Sequence, residues 1–346
     1  MPRVAMDKLK ELGTQVLVKN GMPEEEASYV ADVAVRTEAG GVHTHGVVIF
    51  NALDGQLGKK CDPKKQPEIV REKGATALID CEGCVSHVAM RKAAALAEEK
   101  AREHGVAMIA IRNGTWIAGL GSFVVPLVEK GLFVQLWAQS RACKDSAPYG
   151  GIDTRFSTNP VALGIPKPGA PVVSDFSTSV MSMGKLSRLV RQGKKASEPC
   201  FFDKDGNLTD DPRKMKDGGA MMLWGGDING YKGYAFAIWA EALTAMAGGK
   251  TNNPELDQRQ TINLTVIDPE AFAGLDTCMA EMARFEKHVK SSRVRDGFDE
   301  IRMPGDRFLA QIADSEQNGV EVDPDRLEAL NELAEKHGLD PLEPLG

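Results

Sequence analysis

Cysteine is scarce in this sequence and scattered, with six residues at positions 61, 81, 84, 143, 200 and 278 of a 346-residue chain. That spacing excludes the dense disulfide framework of a small secreted domain. A long hydrophobic run is missing too. The most apolar stretch, Phe123 to Ala138, is broken by Pro126, Glu129 and Lys130, so no segment is expected to span a membrane. Met1 to Lys8 passes straight into an amphipathic pattern with no apolar h-region, which predicts no signal peptide and a cytoplasmic protein. Basic residues do not dominate: 49 acidic against 42 basic side chains give a net charge of −7. A nucleic-acid binder would show a basic face instead. Internal repeats and low-complexity tracts are also lacking.

What is present is ordinary globular usage, 42% hydrophobic and 26% charged, enough to bury a large core without staples. The length suits about two domains, and size and globularity point to an enzyme. Leu9, Leu12 and Val16 recur at helical spacing, and Gly21-Met22-Pro23 separates them from a second helix carrying Ala27, Val30, Ala31 and Ala34. Residues 68–80 predict strands around Gly74, and Val88 to His104 a helix stopped by Gly105. Val106 to Ile111 and Leu132 to Ala138 read as buried strands, with a helix near Ser122–Lys130 between them. Short strands are expected at Pro160–Pro166, Pro171–Ser174 and Leu264–Asp268, and a polar surface excursion over 191–222. Gly233 to Ala247 is almost wholly apolar, which predicts a helix buried on all sides. Helices at about 271–291, 306–318 and 324–337 close the chain. The expected class is mixed α/β without a clean βαβ alternation.

The glycine signatures that cradle phosphates are missing: neither Gly-x-Gly-x-x-Gly nor Gly-x-x-x-x-Gly-Lys-Ser/Thr occurs, and Gly119-x-Gly121 is followed by Val124. Any dinucleotide must therefore bind on another scaffold. Gly40-Gly41-Val42-His43-Thr44-His45-Gly46 sets two histidines and a threonine among glycines, where backbone can approach a ligand. Histidine passes protons near neutral pH. The same residues also suit a helix cap and turn, or half a metal site, but no His/Cys/Asp cluster accompanies them and no metal is expected. Asp175-Phe176-Ser177-Thr178-Ser179 at a strand end suits either a helix cap or ribose and phosphate oxygens. Gly230-Tyr231-Lys232-Gly233-Tyr234 reads as a helix start where N–H groups and a lysine favour an anion, and Glu241 behind it would need a partner if buried. Met303-Pro304-Gly305-Asp306-Arg307 suits a Pro-Gly turn with Asp306 as N-cap. The lone Cys81-Glu82-Gly83-Cys84 reads as a strand-ending turn.

Taken in order, these segments resemble the type-2 malate/L-lactate dehydrogenase family, which also holds ureidoglycolate and sulfolactate dehydrogenases, diketogulonate reductases and cyclic imino-acid reductases. The resemblance rests on Thr44-His45-Gly46-Val47 (the family's Ser-His-Gly-Val), Pro148-Tyr149-Gly150-Gly151 and the run from Ser157 to Pro166. It continues through Asp175 to Ser179 with Gly184-Lys185, Gly230 to Tyr234 with Glu241, and Pro304-Gly305. It implies an oxidoreductase using NAD or NADP on a small 2-oxo or 2-hydroxy acid, or on a cyclic imino acid. It also implies the family's non-Rossmann fold, a mixed-sheet cofactor domain with a mostly helical domain, usually as a homodimer. Residues 116–299 would form the nicotinamide domain, and 1–115 with 300–346 the helical, substrate-side domain. His45 resembles the family's proton donor. Asp175, Ser177, Thr178, Ser179, Tyr231, Lys232, Gly305, Asp306 and Arg307 resemble its cofactor contacts.

The departures from the family pattern bear on the substrate. Trp116 stands where many members carry a second histidine, and Gly40 and Ile49 stand where many carry arginines suited to a carboxylate. Plain malate or lactate is therefore not the expected substrate. His43, Thr44, Trp116, Lys144 and Arg155 are the expected substrate-side residues, with Lys144 or Arg155 as carboxylate anchor and Arg141 as a further polar candidate. A family member that keeps the cofactor pocket but has lost catalysis is the alternative of another class.

Overall fold

The computed structural model describes residues 1–140, 145–252 and 259–345. The chain opens with β1 (Arg3–Val4), α1 (Met6–Lys19), α2 (Glu24–Ala39) and α3 (Val48–Asp54), then the hairpin β2 (Glu68–Lys73) and β3 (Thr76–Asp80). Next come α4 (Ser86–His104), β4 (Val106–Gly114), α5 (Gly121–Val128), β5 (Phe133–Ser140), β6 (Val161–Ile165), β7 (Val172–Phe176) and α6 (Met183–Arg191). The short strands β8 (Phe201–Phe202), β9 (Leu208–Thr209) and β10 (Ala220–Met221) precede α7 (Gly226–Met246) and β11 (Gln260–Ile267). Last are α8 (Leu275–Lys290), α9 (Asp306–Asn318), β12 (Val320–Glu321) and α10 (Pro324–Lys336).

A seven-stranded mixed sheet, ordered β2-β3-β4-β11-β5-β6-β7, forms the centre of this α/β architecture. Only β3 and β4 run parallel, joined through α4; the other neighbours are antiparallel. Period-two alternation sets which side chains face which layer. Ile109, Ile111, Leu136 and Leu264 pack with the residues of α4 and α5 on one face. Met108, Trp137 and Val161 point the other way, onto Ala240 and Leu243 of α7. A second core joins α1, α2, α3 and α10. The domain division expected at 115/116 falls between β4 and α5, within the chain segments that build this one sheet.

Two expectations need correction. The stretch 191–222 is not merely a polar excursion: it folds β8, β9 and β10 into a three-stranded sheet. There Phe201 and Met221 are fully buried against Leu186 and Met181. Its apolar pieces are too short to show a period. The apolar helix α7 begins at Gly226 rather than Gly233, and within the chain it is buried on one side only. The sheet covers Ala240 and Leu243, and Phe156 and Leu223 cover Ala237, while Trp239 is 55% and Met246 61% exposed. Glu241, on the covered side, has its partners: its carboxylate accepts from Gln139 Nε2 at 3.0 Å, Asn159 Nδ2 at 3.1 Å and the Asn252 N–H at 2.8 Å.

Candidate active site

The loop carrying the two histidines is tied down by a residue that the sequence motifs did not single out. The apolar stripe of α2 runs Ala27, Val30, Ala31, Ala34 and then, at the same spacing, Glu38, which is 1% exposed. Glu38 Oε1 lies 2.7 Å from His43 Nδ1, and Oε2 accepts the Val47 N–H at 3.1 Å. One buried carboxylate thus closes both ends of the 43–47 turn. Gly46 lies against it, since a Cβ there would fall 2.3 Å from Glu38 Oε2. The Glu38 hydrogen bond holds the His43 imidazole above its ordinary pKa despite partial burial. A carboxylate on an otherwise apolar helical stripe was the signal in the sequence.

His45 is presented differently. Its Nδ1 lies 2.7 Å from Thr44 Oγ1, which fixes the ring and leaves Nε2 for a substrate. Trp116 flanks it with ring centroids 5.7 Å apart and planes tilted by 53°. Behind it runs the backbone of Gly119, where an added Cβ would lie 3.5 Å from His45 Cβ. Burial holds the His45 pKa below its ordinary value, so the neutral ring predominates at pH 7.

The loop forms one wall of a cleft of about 1080 Å³. His43, Thr44, Asp175, Gly184, Gly305 and Arg307 are among the residues lining it. Asp175, at the end of β7, accepts the N–H groups of Leu120 and Gly121 at 2.9 and 2.8 Å, where α5 begins. Desolvation by the surrounding protein raises its carboxyl pKa, and the two backbone donors partly offset this, although the cleft leaves the side chain open to solvent. Gly305 adopts φ +97° and packs on β7, where a Cβ would fall 2.7 Å from the Val173 nitrogen. Only glycine gives that combination of dihedral and approach. Gly305 leads into α9, whose first turn carries Arg307 with no side-chain partner among the described residues.

The remaining sequence candidates are not all gathered here. Ser177, Thr178 and Ser179 turn inward: Ser177 Oγ donates to the Ser179 carbonyl at 3.0 Å, Thr178 Oγ1 to the Thr158 carbonyl at 3.0 Å, and Ser179 Oγ to the Met181 carbonyl at 2.8 Å. The cap of α6 is Ser182 instead. Asp306 accepts the Met303 N–H at 2.9 Å and pairs with Lys290 at 3.1 Å, and the N-cap of α9 is Gly305. Tyr231 and Lys232 sit inside α7 rather than at its start, on its exposed face beside Tyr149. Their N–H groups belong to the helix, so the anion-binding start expected there is not formed. Arg155 turns to Asp153 at 3.1 Å and does not line the cleft. Lys144 and Arg141 lie outside the described residues. No three His, Cys, Asp or Glu side chains among the described residues form a metal site.

The absent arginines have a structural explanation. A Cβ on Gly40 would fall 2.1 Å from the Phe308 ring, which fills that space. Ile49 is 1% exposed in the helical core. Neither position has room for a guanidinium.

Comparison with known proteins supplies a context for this geometry. A family model described as malate/L-lactate dehydrogenase matches residues 4–331. The chain is 30% identical to a malate dehydrogenase of Pyrococcus horikoshii, over 98% of this chain and 97% of the relative. It is also 30% identical to a Δ1-pyrroline-2-carboxylate/Δ1-piperideine-2-carboxylate reductase of Pseudomonas syringae pv. tomato, over 96% of both. Among solved structures, a sulfolactate dehydrogenase from Methanocaldococcus jannaschii superposes with a TM-score of 0.87 at 29% identity, covering 98% of each chain.

Proposed function

The chain belongs to the malate/L-lactate dehydrogenase family, and on that premise we propose that it transfers a hydride between a nicotinamide cofactor, NAD or NADP, and a small 2-oxo or 2-hydroxy acid. The observation that carries this is His45, held by Thr44, which itself lines a cleft large enough for a dinucleotide and a small acid together. The cleft fits such a cofactor. Gly305 keeps one wall free of side chain, and the first turn of α9 offers an anion its positive end together with Arg307, which has no side-chain partner among the described residues. In this reading Asp175, Gly305 and Arg307 would hold the cofactor directly. Ser177, Thr178, Ser179 and Asp306 shape the turns around it. The mixed, largely antiparallel sheet and the missing glycine fingerprint support a non-Rossmann scaffold.

The cofactor supplies or accepts the hydride. The protein does the rest. His43, Thr44 and Trp116 confine the substrate, and Trp116 also limits water at the His45 ring. In reduction the carbonyl carbon gains the hydride and its oxygen takes a proton from protonated His45. In oxidation the neutral ring accepts the hydroxyl proton. Because burial lowers the His45 pKa, the oxidative direction gains and the reductive direction declines as pH rises through that value.

The exposed apolar face of α7 supports a homodimer, in which a second copy covers Phe236, Trp239 and Met246. Tyr231 and Lys232, on the same helix, enter the cofactor set of this reading through that dimer. Six scattered cysteines suit a cytoplasmic setting.

A second reading, reduction of a cyclic imino acid, is favoured by the aromatic wall of Trp116 beside His45. The test is a nicotinamide absorbance assay with NADH and NADPH against pyruvate, oxaloacetate, sulfopyruvate and Δ1-piperideine-2-carboxylate. Turnover of at least one substrate is expected, falling about a hundredfold or more in His45→Ala. Turnover that survives the substitution would place the proton elsewhere, and cofactor binding without any turnover would favour a non-catalytic member.

A further inference from the structure

Helix α6 turns one face to the cleft. Gly184, Ser187, Arg188 and Arg191 stand at i, i+3, i+4 and i+7, and all four line it. The helix is seated on the histidine loop, because a Cβ at Gly184 would fall 2.2 Å from Thr44 Cβ. One turn on, the Arg188 guanidinium is near enough to His43 to oppose protonation of that imidazole. Arg188 thus stands at the His43–Thr44 end of the cleft.

Most other arginines near carboxylates are engaged: Arg3 holds Asp314, Arg102 holds Asp268 and Arg112 holds Asp80. Arg188 and Arg191 have no side-chain partner among the described residues. No carboxylate among the described residues forms an ion pair with either arginine. Of the acidic residues lining the cleft, Glu38 is taken by His43 and Glu321 by Arg3. A partly desolvated carboxylate needs a cationic partner, and Gly40 and Ile49 have no space to offer one.

We propose that Arg188, with Arg191 one turn further along α6, is the anion anchor for the substrate. Arg188 grips the carboxylate of a 2-oxo acid, and the pair selects substrates with a second acidic group, such as a dicarboxylate or a sulfonate. This rests on the oxidoreductase reading above. Both side chains are exposed, so substitution leaves the fold intact, which circular dichroism checks.

Steady-state kinetics of wild type, Arg188→Gln, Arg188→Lys and Arg191→Gln test the anchor. Arg188→Gln raises KM for oxaloacetate about thirtyfold or more, with the nucleotide KM unchanged. Arg188→Lys recovers part of the loss, and Arg191→Gln raises KM for oxaloacetate more than for pyruvate. Calorimetric titration with malonate, an inert dianion, reads the same site without turnover. Malonate weakened about thirtyfold in Arg188→Gln sustains the anchor even if wild type turns over no 2-oxo acid, in which case only the reaction assignment falls. Malonate affinity equal in wild type and variant overturns the anchor. So does a shift confined to the nucleotide KM, which would assign these arginines to a nucleotide phosphate.

Discussion

Two buried titratable side chains, Glu38 and His87, show how partners decide what burial costs. Glu38 is closed in by His43 and the Val47 N–H, so its burial organises the loop. His87, on α4 behind α5, is 1% exposed, packs 5.6 Å from the Phe123 ring and has no partner for Nδ1. Burial pushes its pKa down to about 4. The unfolded chain, near 6.5, takes up the proton first as pH falls. Stability is therefore full above pH 6.5 and declines toward pH 4, by roughly 3 kcal/mol in all. Urea unfolding at pH 7 and pH 5 should show about 2 kcal/mol of this loss in wild type and its disappearance in His87→Leu. An unchanged loss in the variant would locate the acid sensitivity elsewhere.

At the level of elements, one buried carboxylate ties α7 to two neighbouring segments. Glu241 joins β5 through Gln139 and the 157–160 segment through Asn159. Glu241→Leu removes the carboxylate acceptor of both buried amides and should cost about 3 kcal/mol, read as a lower thermal midpoint, with Glu241→Gln milder. The spacing of Leu9, Leu12 and Val16 and the alternation in Val106 to Ile111 made α1 and β4 legible, because both elements bury one regular face. The true start of α7 was not, since Gly225 and Gly226 look like a loop and the turn before the apolar run carries Asp227 and Asn229. The arginines of α6 were hidden for a related reason. Charges on a short helix read as a solvated face, and nothing local says that the face borders a cleft. His45 was legible as a proton carrier, whereas Phe308 filling the space at Gly40 depends on a helix more than 260 residues away in sequence.

For the molecule as a whole, the apolar outer face of α7 sets an expectation of size. Light scattering should find twice the chain mass for wild type. Phe236→Glu with Trp239→Asp should give monomers and lower activity, because both side chains are exposed in the single chain and the proposed second copy would cover them. A dimer that persists in the double variant would move the interface off α7. The order of the large sheet has a different consequence. β11, residues 260–267, lies between β4 and β5, which end at residues 114 and 140. While the chain is being synthesised, both of those strands must wait for more than a hundred further residues before their shared neighbour exists. Their unpaired edges are open templates during that interval. Folding of this protein is thereby committed late, and its yield in cells should fall with temperature more steeply than the stability of the finished fold.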